Sequence, residues 1–295
     1  MNAESKKLIV AVDGGGSTCR VSICEVSGAI IGAASGGSAN ITTDFNRALA
    51  NILETIHRAY AAAGLDPTRM VGDYAYLGLA GANLEGAADL MEKALNFDRV
   101  KVTSDREITV QGAMGAEDGT VAAIGTGSFF VGRHNGEVLS IGGWGFQLGD
   151  DGGGAFLGQK LLRRAIHAHD GIVAHSPLTR GVLQRFGGTP QGLVAFVQGA
   201  TPMDYGSFAP SIIKAYYEGD AIAIEIVDAA VASLHHTLDT LNTEITGVLY
   251  MLGGLGAAYT ELLRPEYQAI CASPKGDASD GALSLAQGLW VGETK

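Results

Sequence analysis

The chain has 295 residues, of which 46% are hydrophobic and 17% are charged, and its formal net charge is −11. This length exceeds the size at which one hydrophobic core usually stops growing, so two domains are expected. The acidic charge argues against nucleic acid or an anionic membrane as the main partner, but it allows a small phosphorylated ligand that is bound locally.

Cysteine usage indicates the compartment. Cys19, Cys24 and Cys271 include no C-x-x-C pair, which is typical of a reducing cytosol and excludes a four-cysteine metal or cluster site within one chain. No signal peptide is recognisable near the N-terminus, and no stretch approaches the ~20 apolar residues of a membrane span. A cytoplasmic protein is therefore expected.

The first half of the chain reads as three short strands followed by alternating helices and strands. The first strand ends in Asp-Gly-Gly-Gly-Ser-Thr at residues 13–18, and a second strand-like segment follows directly. Residues 14–18, here called the first glycine turn, are thus expected to connect two strands. The predicted elements are strands at 7–12, 20–26, 29–34, 73–80 and 100–103, and helices at 44–63 and 84–95.

The first glycine turn is interpreted as a phosphate loop. Glycine permits positive φ and lets the backbone approach a ligand closely, and successive N–H groups in such a turn form an anion-binding concavity. The turn has no Lys and is not followed by a helix, so it matches neither the Walker A nor the Rossmann motif. A glycine-rich hairpin with an incidental Asp13 is the alternative.

The second half begins in the same way. A strand at 120–124 leads into Gly-Thr-Gly-Ser at residues 125–128, here called the second glycine turn, and strands at 129–133 and 138–141 follow. A long helical insertion is expected at about 154–242, then a buried strand at 248–252, a last strand near 268–271 and a terminal helix at about 279–291. The repeated order of elements indicates an internal duplication, with two phosphate-binding turns facing one cleft.

Four glycine-rich motifs, in order along the chain, resemble the phosphate-1, phosphate-2, linker and adenosine motifs of the actin/hexokinase/Hsp70 ATPase superfamily. They lie at residues 13–18, 125–128, 142–154 and 252–254. Within that superfamily the chain is similar to the BadF/BadG/BcrA/BcrD group and its glucosamine and N-acetylglucosamine kinases, which segments at 38–41, 175–178, 204–210 and 219–225 also resemble. The resemblance covers nearly the whole chain.

The resemblance implies an α/β fold with two ribonuclease H-like, actin-like ATPase lobes of duplicated βββαβαβα topology and a cleft between them. The first lobe would be residues 1–107, completed by a C-terminal helix at about 279–295. The second lobe would be residues 108–278, with the helical insertion at about 154–242.

The same resemblance implies an ATP-dependent kinase that phosphorylates the 6-hydroxyl of an amino sugar, preferably D-glucosamine, with Mg²⁺ bridging the phosphates. Asp105 would be the catalytic base and would also contact the sugar, and Asp13 would hold Mg²⁺ through water. The expected sugar-binding residues are Asn40, Gly127, Trp144 and Asp150. The expected nucleotide-binding residues are Gly14, Gly15, Gly16, Ser17, Thr18, Gly125, Thr126, Gly127, Ser128, Gly253 and Gly254.

Several of these residues have a structural alternative. Asp105 also suits a helix N-cap, Asn40 a turn, and Trp144 a core aromatic. Two positions depart from the family pattern: Arg106 stands beside the proposed base, where it either lowers the pKa of Asp105 or points away to bind an anion, and Asp151 replaces a longer acid.

Three other functions compete. N-acetylglucosamine kinase uses the same chemistry, and only the pocket around the sugar 2-position differs. An ATPase activator of 2-hydroxyacyl-CoA dehydratases shares the fold but needs cysteines for an iron–sulfur cluster, which no segment here supplies. A sugar-sensing regulator usually carries a helix-turn-helix extension, and here the first strand begins close to the first residue. Expected partners are an amino sugar and ATP, without nucleic acid or membrane, and a homodimer through the insertion helices or the second lobe is compatible with the sequence.

Overall fold

The computed structural model describes residues 7–290. It divides into two compact units, one formed by residues 1–116 together with 274–295 and the other by residues 117–273. The strands, in chain order, are β1 Leu8–Gly14, β2 Cys19–Glu25, β3 Ile30–Gly36, β4 Tyr74–Leu79, β5 Arg99–Ser104, β6 Gly119–Ile124, β7 Ser128–His134, β8 Glu137–Gly142 and β9 Leu249–Leu252.

The helices are α1 Phe45–Ala62, α2 Ala87–Ala94, α3 Asp105–Met114, α4 Gly154–His169, α5 Pro177–Arg185, α6 Pro190–Val197, α7 Pro202–Gly206, α8 Ala209–Tyr217, α9 Ala221–Thr240, α10 Thr243–Thr246, α11 Gly253–Thr260, α12 Pro265–Ala269 and α13 Ala278–Trp290. A 3₁₀ helix at Pro67–Gly72 precedes β4.

Unit one is a five-stranded sheet in the order β3-β2-β1-β4-β5. β1 pairs antiparallel with β2 and parallel with β4, and β4 pairs parallel with β5. Because successive side chains of a strand point to opposite faces, β1 contributes to two cores. Val10 and Val12 pack with α1, whereas Ile9 and Ala11 pack with α3 and α13.

The two helices on the second face cross very closely. A Cβ at Gly112 would collide with the carbonyl of Asp277, and a Cβ at Gly281 would collide with the carbonyl of Ile108. α3 therefore belongs to unit one, and the boundary with unit two lies at 116/117, whereas the predicted boundary at 107/108 falls inside α3.

A buried polar network lies at the end of the unit-one sheet where β1 and β4 begin. Asp73, only 2% exposed, accepts hydrogen bonds from the Leu8 N–H at 3.0 Å, the Tyr60 hydroxyl at 2.9 Å and the Arg69 Nε at 2.9 Å. The network therefore links β1, α1 and the 3₁₀ helix.

Unit two has a four-stranded sheet in the order β8-β7-β6-β9, with β6 and β9 parallel. α4 to α9 form the predicted helical insertion at about 154–242, and their apolar faces build one core with the sheet. α9 is long and apolar enough to cross a membrane by length and composition, but one face of it, including Ile226, Val227 and Leu234, is buried in this core.

The predicted last strand near 268–271 is wrong. Pro265 is favourable at the start of a helix, and residues 265–269 form α12. Only Cys271 keeps a strand contact, an isolated parallel bridge to Leu249. The fifth strand of the duplicated pattern is thus reduced to one bridge in unit two.

Candidate active site

Two carboxylates of unit one stand at the carboxyl edge of its parallel strands. Asp13 is the penultimate residue of β1 and pairs with Gly78 of β4, which in turn pairs with Thr103 of β5. Asp105 follows two residues later, where β5 ends and α3 begins. This edge, where parallel strands end, is where open α/β sheets usually bind ligands.

Asp13 is held in a mixed electrostatic environment. Its side chain is 18% exposed, and its Oδ2 lies 3.4 Å from Nη1 of Arg20, which is directly opposite on β2. Burial raises the pKa of Asp13, the Arg20 guanidinium opposes that rise, and the negative charges of Asp105 and Asp277 add to it. These four side chains therefore interact electrostatically.

Asp105 is the first residue of α3, and Ser104 is the cap residue, whose side chain makes no cap hydrogen bond. Burial raises the pKa of Asp105, while the Arg106 guanidinium and the Arg106 backbone N–H, which donates to the carboxylate, both lower it. The net shift is upward. Of the two roles considered for Arg106, its charge acts on the Asp105 carboxylate. Asp105 both begins α3 and lies at the edge of the sheet.

The first glycine turn folds onto its own ends. The Gly15 N–H donates to the Thr18 carbonyl at 2.8 Å, and the Ala39 N–H donates to the Gly15 carbonyl at 3.0 Å. Gly16, Ser17 and Thr18 are exposed. Positive φ, which the sequence suggested as one reason for glycine, is not found at Gly14, Gly15 or Gly16, and of these three only Gly16 is exposed.

Asn40 lies next to this turn, and the oxygen of its side-chain amide accepts hydrogen bonds from neighbouring residues. Its Oδ1 accepts hydrogen bonds from the N–H and the hydroxyl of Thr42, at 3.0 and 2.8 Å, and from the N–H of Thr43. Its Nδ2 makes no hydrogen bond within residues 7–290. The turn interpretation of Asn40 is therefore correct for the oxygen, and the nitrogen is left to donate to a ligand.

The second glycine turn is fastened to the start of α4 within unit two. The N–H groups of Gly154 and Ala155 donate to the carbonyls of Gly125 and Thr126 at 2.8 and 2.9 Å. The Ser128 hydroxyl donates to the Asp151 carbonyl at 2.8 Å. The turn is thus fixed by backbone contacts.

Asp150 reaches the middle of the second glycine turn. Its φ of 61° is unusual for a residue with a side chain, and a Cβ at Gly127 would collide with its carboxylate. The structure therefore brings together Gly127 and Asp150, two of the predicted sugar-binding residues. Tyr259 supports the same loop, since its buried hydroxyl donates to the Gly152 carbonyl at 2.8 Å.

The predicted adenosine motif opens a helix rather than a simple turn. α11 begins at Gly253, whose φ is 80°, and a Cβ there would lie 3.2 Å from the Gly125 N atom. No side chain caps the first turn of α11, and a Cβ at Gly254 would meet nothing within 4 Å. The uncapped N–H groups beside the second glycine turn suit an anion.

Trp144 is 70% exposed and Leu148 is 86% exposed, both in the loop that carries Asp150. The core interpretation of Trp144 is therefore wrong. Large apolar side chains exposed together often mark a ligand-binding surface, which agrees with the proposed sugar contact of Trp144.

Comparison with known proteins identifies the family. The model of the BadF/BadG/BcrA/BcrD ATPase family matches residues 10–267. The chain belongs to the BadF/BadG/BcrA/BcrD ATPase family. The family inferred from the glycine motifs is therefore confirmed.

Individual proteins are similar to this chain over nearly their whole length. Glucosamine kinase GspK of Vibrio cholerae is 32% identical over 278 residues, covering 94% of this chain and 95% of that protein. An N-acetylmuramic acid/N-acetylglucosamine kinase of Clostridium acetobutylicum is 23% identical, covering 95% and 98%. The solved structure of a provisionally assigned N-acetylglucosamine kinase from Chromobacterium violaceum superposes with a TM-score of 0.88 at 30% identity, covering 95% and 99%. The predicted actin-like α/β fold is confirmed.

Two side chains at the edge of the unit-one sheet, Arg20 and Asp277, were not predicted from the sequence of this BadF/BadG/BcrA/BcrD chain, although a sequence pattern indicated each of them. Arg20 is placed opposite Asp13 by a hairpin register that the flanking strands already indicated. Asp277 caps α13, with its Oδ1 accepting from the N–H groups of Ser279 and Asp280. Its helix-start pattern was visible, but its closeness to Asp13 is a property of the fold.

The oxygen donors at this edge fit a magnesium ion that is already bound to a nucleotide. Within residues 7–290 no group of three or more His, Cys, Asp and Glu side chains could hold a metal ion. Mg²⁺ prefers oxygen ligands and usually takes one or two carboxylates together with phosphates and water. Asp13 matches that requirement, with most ligands coming from the phosphates.

Proposed function

We propose that this protein is an ATP-dependent amino-sugar kinase that transfers the γ-phosphoryl group of ATP to the 6-hydroxyl of D-glucosamine, giving glucosamine 6-phosphate and ADP. The 32% identity to glucosamine kinase GspK over 94% of the chain supports this substrate. The observation that carries the chemistry is the largely buried Asp105 carboxylate at the edge of the parallel strands, with its raised pKa.

Asp105 is assigned the role of general base. A carboxylate with a raised pKa is a stronger proton acceptor than an ordinary Asp, and it can take the proton of the 6-hydroxyl as the oxygen attacks phosphorus. Phosphoryl transfer needs little further covalent chemistry from the protein, since alignment and charge stabilisation supply most of the catalysis. The hydrogen bond from the Arg106 N–H keeps the carboxylate oriented.

The glycine turns are assigned to the nucleotide. The exposed hydroxyls of Ser17 and Thr18 are free to donate to phosphate oxygens, and the backbone of the second glycine turn and the first turn of α11 offer further N–H donors. Bound Mg²⁺ would neutralise phosphate charge, and Asp13 would hold it through water.

The sugar is assigned to Asn40, Trp144, Asp150 and the glycine at position 127. The Nδ2 of Asn40 can donate to a sugar hydroxyl and the Asp150 carboxylate can accept from one, while the exposed ring of Trp144 offers an apolar face to the sugar. These roles are complementary, because a hydroxyl both donates and accepts.

N-acetylglucosamine kinase is the second candidate. Two of the similar proteins carry that activity in their names, at 23% and 30% identity. The two functions differ at the 2-position: a cationic amine favours acidic neighbours, whereas an acetamido group needs room and an apolar wall.

An iron–sulfur ATPase activator is disfavoured by the position of two cysteines. Cys19 and Cys24 are fully buried on opposite faces of β2, one in each core of unit one. Burial raises the pKa of the Cys19 thiol to about 12 and that of Cys24 to about 11, and a cluster needs thiolates that converge on one site.

A coupled assay of ADP release with glucosamine, N-acetylglucosamine, glucose or no sugar tests the proposal. We expect sugar-dependent release, fastest with glucosamine. Faster turnover with N-acetylglucosamine would favour the second candidate, and sugar-independent ATP turnover would overturn the kinase assignment. Light scattering and cell fractionation test the homodimer and cytoplasmic predictions.

A further inference from the structure

A basic stripe runs along the outer face of α4 in unit two. Lys160, Arg163, Arg164 and His167 are spaced i, i+3, i+4 and i+7, so they share one side of the helix. They line a cavity of about 260 Å³ that is completed by Glu225, Ile226 and Ala229 of α9. None of these residues belongs to the candidate active site.

Positive charge exceeds negative charge in this cavity. Among the lining residues that the structure describes, Glu225 is the only acidic one, and it is engaged by Arg164, whose Nε lies 2.9 Å from Glu225 Oε1. Lys160 and Arg163 form no ion pair within residues 7–290, and the Lys160 ammonium lies 4.9 Å from the centre of the Phe156 ring. Three permanent cations thus face one carboxylate in a chain whose formal charge is −11.

Helix energetics alone do not account for the stripe. α4 contains no Asp or Glu, so no i,i+4 ion pair within the helix offsets the repulsion between its like charges, and such repulsion destabilises a helix. The helix dipole favours cations only in the last turn, and Lys160, Arg163 and Arg164 precede that turn. An anion bound between them would relieve the repulsion.

Donors of the right geometry converge on the cavity. The Arg163 guanidinium is a planar fork that matches two phosphate oxygens, and Lys160 adds a compact charge. Arg164 Nη1 lies 3.4 Å from His167 Nδ1, so the imidazole accepts there and its Nε2–H is a further donor. A cavity of this size is smaller than most drug-sized pockets, which start at about 300 Å³.

We propose that the α4–α9 cavity is a binding site for a small phosphate-containing metabolite, separate from the candidate active site. The shared chemistry is a tetrahedral oxyanion with two negative charges, supplied either as free phosphate or as a phosphate monoester. The proposal is independent of the kinase assignment, because its readout is binding rather than turnover.

Isothermal titration calorimetry tests the site with inorganic phosphate, D-glucose 6-phosphate and D-glucose as separate probes. The test variant is Lys160→Ala/Arg163→Ala, and Lys214→Ala is the matched control because Lys214 is an exposed lysine of the same unit, paired with Glu218. We expect saturable binding of a phosphate probe to the wild type, about tenfold weaker binding to the double variant, and none for glucose.

The two phosphate probes separate the sources: tighter binding of glucose 6-phosphate assigns a phosphate monoester, and equal binding assigns free phosphate. Wild-type affinity in the double variant would locate the phosphate elsewhere and overturn the proposal, as would no saturable binding to the wild type. Circular dichroism checks that the variants fold, and the single variant Arg163→Gln, which keeps a polar side chain but removes the positive charge, should show an intermediate loss.

Discussion

Glycine occupies different positions of the first glycine turn for different physical reasons. A Cβ at Gly14 would collide with Leu79 and lie 2.9 Å from the Ala39 Cβ, so Gly14 is required by packing. A Cβ at Gly16 would meet nothing within 4 Å, and its φ is not positive. The fold therefore does not require glycine at position 16, and the predicted contact with phosphate is a testable reason for it.

Gly16→Ala should leave the thermal unfolding midpoint unchanged while raising the KM for ATP about tenfold or more, because the new methyl group would occupy space meant for phosphate. Gly199→Ala is the matched control, since Gly199 is equally exposed and open but has no expected ligand role. An unchanged KM in Gly16→Ala would remove the first glycine turn from the nucleotide site.

Asp105→Asn should lower kcat by about 10²–10⁴-fold with nucleotide binding intact, because an amide cannot accept the proton. Since burial raises the pKa of Asp105 above 3.8, the acidic limb of the wild-type pH–rate profile should lie above the usual Asp range. Normal turnover of the variant would show that another group is the base.

The same substitution should stabilise the fold at neutral pH. A carboxyl group with a raised pKa in the folded state favours the protonated form there, so wild-type stability is lost as the pH rises through that pKa. Asp105→Asn removes this cost, and its higher unfolding midpoint should converge on that of the wild type as the pH falls below the unfolded-state value. Asp204, whose pKa is lowered by hydrogen bonds from Thr201, is the control, because Asp204→Asn should give no gain at neutral pH.

At the scale of elements, the crossing of α3 and α13 positions the proposed base. Gly112 and Gly281 let the two helices touch through backbone atoms, and Asp105 lies at the end of α3. Any side chain at these glycines must separate the helices, which would move Asp105 relative to β1.

Gly281→Ala should cost about 1–3 kcal/mol of unfolding free energy through overpacking, and it should lower kcat as α3 shifts. Gly288→Ala, in the same helix but open on all sides within 4 Å, should instead gain up to about 1 kcal/mol, because Ala is the better helix former. Chemical denaturation of both variants measures the contrast, and equal effects would argue against a special crossing.

At the scale of the whole molecule, each unit has a core of its own, so damage in one should be local. Asp73→Ala removes the hydrogen-bond acceptor of Leu8, Tyr60 and Arg69, and it should lower the free energy of unfolding by about 2–4 kcal/mol. This loss is smaller than that for breaking a fully buried ion pair, because the Arg69 side chain is 23% exposed. Hydrogen exchange should accelerate in β1 and β4 of unit one, while α4 and α9 of unit two keep their protection.

Asp98→Ala is the control for this experiment, because its ion pair with Lys7 is exposed and should leave exchange in both units nearly unchanged. Equal loss of protection in both units after Asp73→Ala would mean that they unfold as one cooperative body.

Local patterns predicted most of the fold. Apolar runs such as Leu8 to Val12 identified all nine strands closely, and the fold and family followed from the order of the glycine motifs. The segment at 268–271 was mistaken for a strand because a short apolar run cannot be told from a helix end by periodicity alone. The helix opened by Gly253 was missed for a similar reason, since Gly-Gly is a poor helix start by propensity.

Contacts between distant parts of the chain could not be predicted. The approach of Asp277 to Asp13, and of Asp150 to Gly127, depends on how α13 and α4 pack. The Oδ1 of Asn40 accepts a hydrogen bond from the Thr42 N–H because of a local turn. The sequence allows the geometry of this turn but does not require it.

The return of the chain to unit one at residue 274 has a consequence for synthesis. α13 covers one face of the sheet that contains β1, yet it is translated after the whole of unit two. Domains generally fold as they leave the ribosome, N-terminal parts first, but here β1 waits for α13, and before α13 is made Ile9 and Ala11 can pack with α3 but not with α13. Unit two is contiguous in sequence, so it can finish folding before unit one. The nascent chain therefore passes through a stage in which unit one, although its synthesis began earlier, is still incompletely folded.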